Sequence, residues 1–173
     1  MRMILRGRTG CGCGNSKSLL RLFFFLWTLC HGKNLNNNQR MIRGMTEDGE
    51  CKFCGLSETN DHIFIFCNKA ALVWNSCPVH FTVLHDFNFK DWLNINIRTQ
   101  RREGGNLEDN VTFISVLWSL WKARNRFQFD NKLLRSEEVV MEATYFARNV
   151  ALASTKFYSS FTQRACFNSL EFS

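Results

Sequence analysis

The sequence predicts a mainly α fold: a small helical metal-binding module followed by a helical hairpin, with a disordered N-terminus. Three observations predict it. Apolar residues recur at three- and four-residue spacing in several separate stretches, the period of a buried helix face. A single proline in 173 residues leaves little to interrupt helices. Between two of the periodic stretches stand Cys51, Cys54, His62 and Cys67, whose types and spacing suit a tetrahedral metal site. With 45% apolar residues and 17 phenylalanines, the chain has enough material for a core.

The elements follow in order. Residues 1–16, ending in "GCGCGNS", read as a disordered basic leader. Its glycine run is not a phosphate loop, because Ser16 and Cys11 occupy the two required glycine positions before Lys17. Residues 17–78 read as the zinc-binding helical domain. Its first helix spans 17–32, with Leu19, Leu22, Phe23, Leu26, Leu29 and Cys30 on the buried face. His31, near its end, reads more readily as a histidine interacting with free helix carbonyls than as a ligand. A short helix over 36–44 is stopped by Gly44. After the cysteine pair, Asp61 or Asn60 caps a helix from His62. Ile63, Phe64, Phe66, Ala70, Val73 and Trp74 pack that helix on the first.

Pro78 ends this unit. Residues 79–110 read as a linker containing the basic cluster Arg98, Arg101 and Arg102; His80 and His85 lie there without companion ligands. Residues 111–153 form the hairpin. Its first helix carries Phe113, Ile114, Val116, Leu117, Leu120 and Trp121. Its second is capped by Ser136, with Glu137 and Glu138 in the favourable first turn and Val139, Ala143, Phe146 and Val150 on one face. Residues 154–173 are a weakly patterned tail.

The chemistry concentrates in C-x2-C-x7-H-x4-C, within "CKFCGLSETNDHIFIFC". Two cysteines two residues apart can place both sulfurs on one ion across a tight turn, and Gly55 stands where such a turn needs positive φ. The pattern predicts one structural Zn2+ held by Cys51, Cys54, His62 and Cys67. Two other readings compete: buried free thiols with a core histidine, and a disulfide across Cys51 and Cys54. Against the first, "TEDGECKFCGLSETND" is polar and offers no core to bury thiols in. Against the second, no βαβ pattern surrounds the pair.

The run "FFFLWTLCHGKNLNNNQRMIRGM…CKFCGLSETNDHIFIFCNKAALVW" resembles the reverse-transcriptase zinc-binding domain of plant LINE-type (non-LTR) retroelements. Phe25, Trp27, His31, Gly44, Cys51, Cys54, Glu58, His62, Phe64, Cys67, Ala70 and Trp74 stand at that family's positions. The resemblance covers residues 18–80 well and 111–132, "LWSLWKARNRFQFDNK" included, more loosely. Lys52 and Asn68 replace the family's usual prolines, and Asn36–Asn38 replace its usual threonine. The front of the family domain is missing, so the resemblance implies a fragment. It also implies partners: nucleic acid, or the other domains of a parent reverse transcriptase.

Charge bears on the partner. The net charge is +7, and residues 1–46 hold eight basic residues and no acid. A basic end beside a metal module points to a polyanion bound weakly and without sequence preference, with Lys33, Arg40 and Arg43 as contacts. The alternatives are a solvated face, or a leader translated from outside the original frame. Leu22–Cys30 is too short to span a bilayer, and no membrane partner is expected. Cysteine usage fits an intracellular compartment, the nucleus included; the acid-free, arginine-rich start also matches mitochondrial targeting. No Asp-Asp pair for a polymerase metal site is present, and no other catalytic constellation is visible, so no enzyme is expected. The reading is a non-catalytic zinc module contacting nucleic acid; the alternatives are a protein-interaction scaffold or a retroelement remnant.

Overall fold

The structure, a computed structural model, describes residues 13–77, 88–102 and 107–153. Among the described residues six α-helices and one π-helical turn follow one another: α1 (Cys13–Cys30), α2 (Asn37–Ile42), the π turn (His62–Phe66), α3 (Asn68–Asn75), α4 (Phe89–Arg102), α5 (Leu107–Asp130) and α6 (Ser136–Ala153). Among the described residues the sole β pairing is the isolated antiparallel bridge of Glu50 with Ser57. The mainly helical expectation holds.

Helix α1 begins within the expected disordered leader, since residues 13–16 are already helical. It buries Leu22, Phe25, Leu26 and Leu29, the spacing i, i+3, i+4, i+7. Phe25 thus joins the face, and the expected Phe23 and Cys30 pack against it while only partly buried. The helix closes with Gly32 N donating to Leu29 O at 3.1 Å and Lys33 N to Thr28 O at 2.8 Å. These two bonds satisfy carbonyls that the last turn leaves free. Helix α2 is shorter than expected. Asn36 caps it by accepting from Gln39 N at 2.8 Å, and Gly44, at φ +67°, supplies the left-handed residue that stops it.

Helix α5 is the centre of the molecule. Val111, Phe113, Ile114, Val116 and Leu117 are each at most 1% exposed. With Ser115 and Ser119, both 0% exposed, these positions go all the way round the helix, as in a helix packed on every side. Helix α6 folds back on it across residues 131–135 and also touches α1 and α3. Glu142 of α6 pairs with Lys122 at 3.1 Å and Arg126 at 3.0 Å of α5. The cap of α6 differs from expectation. Ser136 is its first helical residue, and Glu138 reaches back to accept from Arg135 N at 2.7 Å. Glu138 therefore contributes a backbone cap as well as charge.

The linker expected over 79–110 is not what residues 88–102 form. They contain α4, which buries Phe89, Trp92, Leu93 and Ile97 in the common core. Trp92 lies 5.4 Å from Phe113 of α5 and 6.1 Å from Trp74 of α3, centroid to centroid. His80, His85, and the side chains of Arg98, Arg101 and Arg102, fall outside the described residues. The expected metal module and hairpin share this core: Phe25 packs 5.0 Å from Trp118, and Phe64 6.4 Å from Trp121. None of the described helices is long and apolar enough to cross a membrane.

Candidate metal centre

The cysteine pair sits on a tight knuckle. Cys51 N donates to Leu56 O at 2.7 Å, and Cys54 N and Gly55 N both turn back to Cys51 O, at 3.3 and 2.8 Å. Gly55 has φ +75°, where a Cβ would strain the backbone, so its glycine is required as the sequence suggested. These bonds aim the sulfurs of Cys51 and Cys54 to the same side.

The other two ligands come from the π turn and its end. The expected continuous helix from His62 is broken here. Cys67 N donates to His62 O at 2.8 Å, an i→i+5 bond, and Cys67 itself is extended at φ −65°, ψ 136°. In an α-helix, residues five apart point about 140° away from each other. The π turn brings residue i+5 back over residue i, so the spacing H-x4-C places both side chains on one ion. Neither Asp61 nor Asn60 caps this turn. Asp61 is itself helical in conformation and makes no cap bond, and Thr59 Oγ1 accepts from His62 N at 3.2 Å instead. The wider turn also rotates the face: Ile65 is buried and Phe66, expected in the core, is 49% exposed.

The ligand atoms of Cys51, Cys54, His62 and Cys67 lie within 4.8 Å of one another, with Cys54 Sγ 3.2 Å from His62 Nε2. A tetrahedral ion with Zn–S bonds of about 2.3 Å spaces its ligand atoms about 3.8 Å apart, so the donors present fit one Zn2+ by type, number and spacing. Cys51, His62 and Cys67 are buried; Cys54 is half-buried. As thiols, the pair Cys51 and Cys67 is strongly unequal. Cys51 is pushed up to about 12, first by its hydrogen bond with Cys67 and then by burial. The same bond lowers Cys67. Three sulfurs crowded in a buried pocket resist ionisation together, and a dication removes that penalty by displacing the protons. Among the described residues no other group of three or more such ligands exists, and His31 is not part of this one. It turns its Nδ1 to Trp27 O at 2.8 Å.

The knuckle is fastened to α5 at two points that the sequence did not reveal as a pair. Glu58, 1% exposed, takes the guanidinium of Arg124: Nε donates to both carboxylate oxygens at 3.1 Å, and Nη2 donates to Oε1. Asn37 completes the cluster. Its backbone N donates to Glu58 Oε1 at 2.7 Å, and its Oδ1 accepts from Arg124 Nη2 at 2.7 Å and Arg40 Nη1 at 2.9 Å. At the second point, Lys52 Nζ donates to Phe127 O at 3.2 Å, Gln128 O at 3.4 Å and Asn131 Oδ1. A lysine at a helix C-terminus meets free carbonyls and the negative end of the dipole. Lys69 Nζ similarly donates to Leu134 O, and burial lowers its ammonium from the ordinary range.

Of the expected phosphate contacts, Lys33 and Arg43 are exposed. Arg40 is half-committed: besides Asn37 it lies over the Phe129 ring, 5.2 Å from the centroid. Lys33 lines a groove with Arg21, whereas Arg40 packs towards the end of α5. No curated protein and no solved structure matches the chain. Residues 12–74, which contain α1, α2, the knuckle, all four ligands and most of α3, match the family model for zinc-binding in reverse transcriptase.

Proposed function

We propose that the chain is a non-catalytic, zinc-stabilised helical module, derived from the reverse transcriptase of a plant LINE-type retroelement, that contacts nucleic acid without sequence preference. The observation that carries this reading is the four-ligand cluster inside the matched region. With four protein donors the ion has no open position for water, so its role is to hold the knuckle, the π turn and the cap of α3 in one arrangement. Cys51, Cys54, His62 and Cys67 hold it. The basic, acid-free stretch 1–46 supports a polyanion partner, and cysteine usage supports an intracellular setting.

The test is a titration of the full chain with single-stranded RNA at several salt concentrations. With four to six phosphates bound, log K falls against log salt with a slope of roughly −3 to −5. Arg40→Gln with Arg43→Gln flattens that slope by about 1.4 if both touch phosphate on a single strand. Undetectable binding at low salt replaces this reading with a protein-interaction scaffold or a retroelement remnant.

A further inference from the structure

We infer that the outer face of α1 is a stacking platform for single-stranded polynucleotide, with Phe24, Trp27 and His31 as its rings; this deepens the nucleic-acid reading above and rests on it. Leu20, Phe24, Trp27 and His31 follow at steps of four, three and four, so they form one line along the helix. The buried face is a different one, made of Leu22, Phe25, Leu26 and Leu29. Phe24 is 66% exposed and Trp27 39% exposed, and His31 is exposed as well. Core packing therefore does not account for these rings.

The rings are already ordered against each other. Phe24 and Trp27 are stacked with centroids 6.2 Å apart and planes 23° apart. Trp27 and His31 are stacked at 4.4 Å and 28°. The His31 bond to Trp27 O holds the last ring in place. A preformed row of flat rings loses little conformational freedom on binding. Trp27 is sandwiched between Phe24 and His31, so a base continues the stack at the free ends of the row, on the outer faces of Phe24 and His31, which suits a sequence-tolerant ligand.

The surroundings select the ligand. Beside the row runs an open groove of about 540 Å³ lined by Arg21, Phe24, Thr28, Lys33, Trp118 and Trp121. Arg21 and Lys33 are exposed on its rim. No carboxylate side chain occurs anywhere in residues 1–46. Aromatic faces with cations alongside are complementary to bases with phosphates alongside. A duplex, whose bases already stack on one another, gains nothing from the rings.

The experiment compares a fluorescent single-stranded oligouridine with a duplex RNA of equal length, using the zinc-loaded full chain. Single-strand binding is tighter. Phe24→Ala, which removes a stacking face, and Trp27→Ala, which removes the ring that holds the two end faces in line, each weaken it roughly 5- to 140-fold while leaving the salt slope unchanged, since the phosphates stay neutralised. Trp27→Phe retains most of the affinity. Arg21→Gln with Lys33→Gln flattens the slope instead, by about 0.7 for each phosphate no longer neutralised. Circular dichroism and zinc content of the variants establish folding, and Phe24, more exposed than Trp27, is the substitution less able to disturb it. Salt-dependent single-strand binding that ignores Trp27→Ala and Phe24→Ala overturns the platform and leaves phosphate binding standing. Absence of RNA binding at low salt overturns both readings. Self-association abolished by Phe24→Glu, without RNA binding, makes the face an interface between copies and also overturns both.

Discussion

Replacing Arg124 by methionine tests how the metal knuckle is held. The substitution keeps a long side chain over Trp121, where the guanidinium now lies 5.3 Å from the ring centroid. It removes every Arg124 bond to Glu58 and the 2.7 Å bond to Asn37. Glu58 stays 1% exposed, with the Asn37 backbone N as its remaining donor. A buried charge stripped of its partner costs about 3–5 kcal/mol. With a melting shift of roughly 2–4 °C per kcal/mol for chains of this size, Arg124→Met lowers Tm by roughly 6–20 °C. The double variant Glu58→Gln with Arg124→Met buries no charge. It therefore loses less than the two single losses combined, with a coupling of about 1–3 kcal/mol. The assay is thermal unfolding of all four proteins of the cycle, saturated with zinc. A melting point for Arg124→Met within a degree or two of the parent, or strictly additive losses, refutes the claim that this pair fastens the knuckle.

Three further outcomes follow from the site and the hairpin. Elemental analysis of protein purified without chelator gives one zinc per chain; a value near zero with free thiols at Cys51 and Cys54 contradicts the ligand assignment. Cys54→Ser removes one of four ligands to an ion whose folding contribution in small zinc peptides is of order 10 kcal/mol, so limited proteolysis cuts residues 45–70 of this variant faster than those of Cys11→Ser. Burial raises the carboxyl of Glu142, but its bonds to Arg126 and Lys122 outweigh this and leave it below its ordinary value of 4.5. A lowered carboxylate stabilises the fold fully above that ordinary value, and the stabilisation is lost as pH falls through the folded value. Urea unfolding below pH 5 therefore shows a loss that Glu142→Gln does not share.

The sequence reveals this fold unevenly, for physical reasons. The helix over 17–32 is legible because Leu22, Leu26 and Leu29 repeat on one face whatever packs against them. The four ligands are legible because coordination chemistry fixes residue type and spacing. Helix α4 is not. Phe89, Trp92, Leu93 and Ile97 carry a helical repeat, but Asn94, Asn96 and the following arginines dilute it to the composition of a linker. The π turn is not legible either, because a 3.6-residue period has no place for one extra residue, and so the pattern turns Phe66 inwards and passes over Ile65. Glu58 and Arg124 stand 66 positions apart. Each reads as a surface charge until the chain folds back and pairs them. The aromatic row of α1 is hidden for the opposite reason: apolar residues beside a buried face read as more of that face.

The two ties from the knuckle to α5 set a limit on modularity. The matched stretch ends at residue 74, yet the groups that receive Glu58 and Lys52 belong to residues 124–131. A gene segment cut at the border that family comparison suggests would carry all four ligands and leave behind the cation that neutralises Glu58. Transplanted into another protein, such a segment would bring a buried carboxylate in search of a counter-ion. The piece that keeps both ties intact therefore runs through α5 to Asn131.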